Sequence, residues 1–248
     1  MSSTSPANYS SPVTRYPAAL SGRLDPAVSR WQWLVKWLLA IPHYIILFGL
    51  GVAAIVVTVI AWFAILFTGR YPRGLFNFTV GVLRWNWRVS FYTYSALATD
   101  QYPPFTLAAT EYPADFEVEY PEQLSRGLIF VKTWLLAIPH YLVLGALIGG
   151  GWSLLGGIGS FSSRSGSGIA LSLLGALVLI AAVILLFTGR YRAGLFALIM
   201  GINRWTYRVV SYSALLTDAY PTFRLDLGPA EPVTLDTGEA PTVPKPTA

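Results

Sequence analysis

The sequence predicts an all-α membrane protein built from two tandem repeats. Each repeat is a transmembrane helical hairpin followed by an Arg/Trp-rich amphipathic helix, with short cytoplasmic β-strands outside the bilayer. Three observations predict this. Of 248 residues, 54% are hydrophobic and only 12% charged, whereas about a quarter of a soluble domain is charged. The octapeptide Trp37-Leu-Leu-Ala-Ile-Pro-His-Tyr44 recurs unchanged as Trp134 to Tyr141, and identity over eight residues marks an internal repeat. With the chain arranged as hairpins, every one of the 17 Lys and Arg residues except Arg164, and all 12 Asp and Glu, fall on one side. That asymmetry assigns the charged side, with both termini, to the cytoplasm.

Residues 1–15 are rich in Ser and Pro and lack the basic-then-apolar order of a secretory signal, so they are expected to be retained and disordered. The first repeat covers 16–108. Its apolar run from Trp31 to Phe67 would measure about 55 Å as one helix, against a hydrocarbon core of about 30 Å. A turn is therefore expected at Gly49-Leu50-Gly51, giving spans at about 31–50 and 52–68. The second repeat covers 112–227, with spans at about 128–148 and 169–188 around a Gly/Ser-rich loop at 149–168. Lys132, near the start of the third span, is expected to snorkel. The tail, 228–248, holds Pro229, Pro232, Pro241, Pro244 and Pro246 and is expected to be disordered.

The third segment of each repeat, 74–98 and 194–216, carries a polar stripe at helical spacing. Arg84 and Arg88 lie four residues apart, as do Arg204 and Arg208. At the centre of a spanning helix two arginines cost roughly 5–7 kcal/mol, so these helices are expected to lie in the interface with arginine facing phosphate. The alternative is that the stripes line a protein-buried or watery interior. Outside the membrane, Ala18–Leu24, Phe105–Ala108, Ala114–Tyr120 and Phe223–Leu227 are candidates for a small cytoplasmic sheet joining the copies.

Candidate site residues come from the repeated polar positions. His43 and His140 are the only histidines. They form a candidate intramembrane polar pair, either handling a proton across a pseudo-twofold axis or satisfying the helix defects left by Pro42 and Pro139, where kinks are expected. The Thr-Gly-Arg-Tyr loops place Arg70 and Arg190 at the membrane exit, near Arg73 and Arg192. With Arg84, Arg88, Arg204 and Arg208 they are candidates to face lipid phosphate. Asp100 and Asp218 are candidate ion-pair acids for Arg70 and Arg190 or for Arg84 and Arg204. The absence of Cys excludes disulfides and thiolate chemistry. No catalytic residues, metal site or cofactor are expected, because no nucleophile sits beside a base and no phosphate-cradling loop is present. The net charge of +5 belongs with anionic lipid rather than nucleic acid, since the basic residues flank apolar segments.

The strings LLAIPHY, AWFAILFTGRYPRGLF, GVLRWNWRV and TDQYPPF resemble the bacterial membrane family catalogued as domain of unknown function 4389, in two copies. The resemblance covers about 29–105 and 125–223, and implies a membrane location without an assigned activity. The expected function is a non-catalytic structural, interaction or accessory component of the bacterial cytoplasmic membrane, with a membrane-protein partner or a homo-oligomer. The alternative is a small transporter, pore or lipid-handling protein using the histidine pair and the membrane-exit arginines.

Overall fold

The computed structural model describes residues 13–14, 16–26, 28–148, 172–227 and 234–235. The expected Gly/Ser loop and most of both expected tails lie outside these residues. The fold is mainly helical. Helix α1 (Trp33–Thr68) is followed by α2 (Arg73–Tyr92), and the second copy supplies α3 (Leu128–Val131), a wide π-turn (Lys132–Leu136), α4 (Ile138–Ile148), α5 (Leu173–Thr188) and α6 (Ala193–Ser213).

Helix α1 is unbroken over 36 residues, which corrects the turn expected at Gly49–Gly51 and the two spans drawn around it. From Ile45 to Phe67 there is no proline and no charge, and the one threonine, Thr58, turns its hydroxyl back onto the Ala54 carbonyl at 2.8 Å. Nothing in the run offers its backbone partners outside the helix. Two glycines cost about 1 kcal/mol each relative to alanine, less than giving up several helical hydrogen bonds in an apolar setting. Helix α1 is the one described helix long and apolar enough to cross a membrane, and only 11% of its most apolar window is buried inside the molecule.

The second copy differs although its octapeptide is identical. Lys132–Leu136 widens into the π-turn, and α4 begins just before Pro139, so 128–148 is not one helix. Pro42, by contrast, sits inside α1. Copy two carries one residue more, Thr133, between its lysine and the shared Trp-Leu-Leu-Ala-Ile-Pro-His string, and the π-turn, whose bonds run i→i+5, absorbs it.

The copies meet around a pseudo-twofold axis. Strand β2 (Ala18–Gly22) pairs antiparallel with β3 (Ala114–Val118), with Leu20 opposite Phe116 at the centre. These strands follow the equivalent Tyr16-Pro-Ala18 and Tyr112-Pro-Ala114 lead-ins, so the register is symmetric about equivalent residues. The next equivalent pair also meets, Trp87 against Tyr207 at 5.5 Å between ring centroids, while the Tyr207 hydroxyl donates to Asn86 Oδ1 at 2.8 Å. The expected joining sheet therefore exists, but as two strands. Phe105–Ala108 and Phe223–Leu227 are not strands, because their carbonyls are engaged by arginine side chains described below.

A second ladder pairs β1 (Val13–Thr14) with β4 (Thr234–Leu235). It corrects the expectation of disorder at these four residues, since each short segment supplies the other's backbone partners.

Gly22 marks a close approach between the copies. A Cβ placed there would stand 2.6 Å from Phe91 Cε2 and 2.9 Å from Met200 Cε. Gly22→Ala is expected to lose about 1–3 kcal/mol by overpacking, read as a lower midpoint of unfolding in detergent. An unchanged midpoint would show that the two copies separate here at no cost.

Candidate functional site: two equivalent polar clamps

The polar residues of the two repeats assemble into the same constellation twice. In copy one, Lys36 lies in the first turns of α1 with its side chain fully buried. Its ammonium pairs with Asp100 Oδ1 at 2.9 Å, donates to the Thr99 carbonyl at 2.7 Å and stands 4.9 Å from the Tyr92 ring centroid. Copy two repeats each contact. Lys132 pairs with Asp218 Oδ1 at 2.6 Å, donates to the Thr217 carbonyl at 2.5 Å and lies 4.8 Å from the Tyr212 ring. The other carboxylate oxygen accepts the backbone N–H of Ser29 in one copy and Ser125 in the other. Each lysine thereby ties the start of its apolar helix to the end of its amphipathic one.

The turn that delivers the aspartate is strained in both copies. Leu97 (φ 52°) and Leu215 (φ 62°) take the left-handed conformation, which costs a non-glycine residue about 1–2 kcal/mol. Both leucine side chains are buried, a gain of about 1.5–3 kcal/mol that offsets the strain. The clamp therefore rests on a turn sustained by this packing and by backbone bonds, among them Leu97 N–H to the Thr93 carbonyl and Leu216 N–H to the Ser211 carbonyl, both at 2.9 Å.

Each histidine completes its own copy's clamp. His43 Nδ1 accepts from Trp85 Nε1 at 3.1 Å, and His140 Nδ1 accepts from Trp205 Nε1 at 3.3 Å. The indole N–H can only donate, so both imidazoles are neutral with the proton on Nε2, an atom without a partner among the described residues. Phe105 stacks on His43 at 3.9 Å, and Phe223 on His140 at 4.0 Å. Tyr102 and Tyr220 close the boxes and donate to the Leu39 and Leu136 carbonyls next to the proline defects. Each imidazole is thus enclosed by residues of its own repeat, and no described contact joins His43 to His140. Of the two alternatives for these histidines, the cross-axis pairing is corrected on that ground.

Four of the eight arginines proposed to face lipid phosphate instead face protein. Arg84 Nε donates to the Phe116 carbonyl at 2.9 Å and Nη1 to the Leu107 carbonyl at 3.3 Å. Arg88 is fully buried, donating to the Ala108 carbonyl at 2.9 Å and pairing with Asp115 at 3.3 Å. In copy two, Arg204 donates to the Leu20 and Asp226 carbonyls, and Arg208 pairs with Asp226 at 2.5 Å. Backbone carbonyls and a nearby acid replace phosphate as the acceptors, so these residues are corrected to internal staples. Strand β3 is stapled to α2, and β2 is stapled across the axis to α6.

Arg70, Arg73, Arg190 and Arg192 remain exposed, and Arg73 lies over the Tyr120 ring. Asp100 and Asp218 pair with lysine, not with the arginines expected, because the left-handed turn aims them at the first turns of the apolar segments. Lys132 does not snorkel, being buried against its own aspartate. The lysine partner was detectable in the sequence as a lysine shortly before each Ala-Ile-Pro-His block, Lys36 four residues and Lys132 five residues ahead of the alanine, with an Asp following each amphipathic helix. Burial also pushes the phenols of Tyr112 and Tyr191 up, so both stay neutral donors, to the Gln101 and Ala96 carbonyls.

Among the described residues no three His, Cys, Asp or Glu side chains converge to hold a metal. Two modest clefts are present. One is lined by Tyr16, Asn77, Arg84 and Glu117 and the other by Thr68, Gly69, Arg70, Gln123, Leu124 and Arg126.

The family model "Domain of unknown function (DUF4389)" matches residues 30–106 and 167–224, more than half of the chain. The chain belongs to this family. The two matched segments are consistent with two copies of the DUF4389 unit, and both contain a clamp aspartate, a Trp–His donor and a stacking Phe. The second DUF4389 segment begins after Lys132 and His140, so the match itself carries only part of the second clamp. No curated protein and no solved structure matched the chain at a significant level.

Proposed function

We propose that this is a multi-pass protein of the bacterial cytoplasmic membrane with a non-catalytic, scaffolding or accessory role. One observation carries the reading. The repeated charged and imidazole groups are engaged in holding the fold, while the outer face of α1 stays bare, with Phe48, Phe67 and Ile45 at 77%, 73% and 69% exposure. An apolar face of that length needs lipid or a partner's helices to cover it. Helices α4 and α5 carry further exposed apolar residues, among them Leu142 and Phe187, and lie in the bilayer with α1. Helices α2 and α6 run back from the exit loops to the clamps at the start of the apolar segments, with their arginines turned toward the sheet.

Both termini share the cytoplasmic face. Support comes from the β1–β4 ladder and from the Tyr16 hydroxyl, which donates to the Ala219 carbonyl at 3.0 Å. The β2–β3 ladder adds the connection between the copies to that side. Because the chain has no Cys, single cysteines at Thr14 and Thr110 can be labelled with a membrane-impermeant maleimide. Both are expected to react in inverted vesicles and to stay unlabelled in intact spheroplasts. Opposite sidedness of the two positions would sink this topology. For the role, the purified chain reconstituted with a pH-sensitive dye is expected to carry no proton flux. A flux abolished by His43→Ala with His140→Ala would replace the scaffold reading by a transporter.

A further inference from the structure

We propose that the two helix-exit loops form a pair of equivalent sites for the phosphate of an anionic lipid headgroup, each completed by an arginine from the other copy. The first consists of Thr68-Gly69-Arg70 with Arg126, the second of Thr188-Gly189-Arg190 with Arg30. This deepens the membrane reading above, since it rests on the ends of α1 and α5 lying at the bilayer surface.

The exchange of arginines is reciprocal. Helices α1 and α5 both end on a left-handed glycine, Gly69 at φ +72° and Gly189 at φ +66°. In copy one the Leu124 N–H donates to the Gly69 carbonyl at 2.9 Å, which draws the start of copy two onto the loop. Arg126 Nε then lies 3.3 Å from where a Gly69 Cβ would be. Across the axis Arg30, the repeat equivalent of Arg126, has Nε and Nη2 at 2.5 Å from the Cβ position of Gly189. Only a glycine admits a guanidinium this close to the loop.

Each loop is pre-set by its threonine. Thr68 Oγ1 donates to the Ala64 carbonyl and accepts the Arg70 N–H at 3.2 Å, and Thr188 does the same with Ile184 and Arg190. That fixes the backbone from which Arg70 and Arg190 project. Beside the first loop lies a cleft of about 380 Å³, lined by Arg70, Arg126 and Gln123 and by no acid. Among the described residues neither Arg30, Arg70, Arg126 nor Arg190 has an ion pair, whereas Lys36, Lys132, Arg84, Arg88 and Arg208 each do. Two guanidinium groups offer fork geometry to phosphate oxygens. The partial negative charge at a helix C-terminus opposes an anion, so one arginine would be insufficient and the second, supplied in trans, tips the balance.

The bland role for Arg30 and Arg126 is to neutralise those helix ends, and a binding measurement separates the two. The full chain is titrated with phosphatidylglycerol vesicles, with phosphatidylcholine vesicles, and in detergent with glycerol 3-phosphate and inorganic phosphate, alongside Arg126→Gln, Arg30→Gln and the double variant. Wild type is expected to bind phosphatidylglycerol more tightly than phosphatidylcholine, with the preference weakened about tenfold by each single variant and lost in the double. Arg126→Lys, which keeps the charge but not the fork, is expected to fall between wild type and Arg126→Gln, and to show that loss in Arg126→Gln is not unfolding. Variants that keep the wild-type preference would overturn the sites. Inorganic phosphate binding as tightly as the lipid would overturn the headgroup assignment. Failure to partition into either vesicle would overturn the membrane reading instead, while weak glycerol 3-phosphate binding lost in Arg126→Gln would still support the sites.

Discussion

Asp100→Ala is expected to destabilise the protein by about 3–5 kcal/mol, because it leaves the fully buried Lys36 ammonium without its counter-charge. The loss should appear as a fall in the unfolding midpoint in detergent. Lys36→Met on its own is expected to cost less, since Asp100 is 18% exposed and can recover water. The combined Lys36→Met, Asp100→Ala chain is expected to regain most of the stability lost in Asp100→Ala, because a buried pair replaced by apolar groups is often neutral. Simple addition of the two single losses would show that lysine and aspartate act independently, against the clamp geometry. Asp218→Ala, at the equivalent place, tests whether the second clamp carries similar weight.

Arg204→Met is the other substitution with a large expected effect, about 3–5 kcal/mol. It removes donors from the Leu20 and Asp226 carbonyls at a fully buried site, and an unsatisfied buried polar group costs about 1–3 kcal/mol. Its signature is local. Strand β2 is bound to α6 through this residue, so amide hydrogens of Ala18–Gly22 are expected to lose exchange protection before those of α1. Uniform loss of protection across the chain would show that the staple has no special hold on that strand.

The repeat, the mainly helical class and the two amphipathic helices were legible because each leaves a local pattern. Helix α6 (Ala193–Ser213) lies within a few residues of the limits expected from its 3.6-residue spacing, whereas α2 (Arg73–Tyr92) starts as expected but ends short of the expected 98. Strands β2 and β3 could be suspected from alternation, but not their register, which depends on equivalent residues of two copies meeting. The unbroken α1 was not legible. Gly49 and Gly51 have the composition of a turn, and only the lack of any competing partner for that backbone keeps the helix running. The arginines were misread for a related reason. An Arg stripe on an amphipathic helix looks the same whether its acceptors are phosphates or strand carbonyls, and the Phe116 and Leu20 carbonyls come from segments 32 and 184 residues away. Lys36 and Asp100 were each visible, yet their pairing required the left-handed turn at Leu97, a conformation leucine rarely adopts.

The strand exchange imposes an order on folding. Strand β3 is made soon after the α2 it is stapled to, but β2 emerges before both and is stapled to Arg204, 184 residues downstream. At synthesis rates of about 5–20 residues per second, roughly 10–40 s pass before its partner helix exists. During that interval β2 can pair with β3 and accept the Trp87 indole N–H at the Ser21 carbonyl, but its tie to the second copy stays unmade. An early strand thus keeps one bond for a late helix, so completion of the fold waits on the far end of the message.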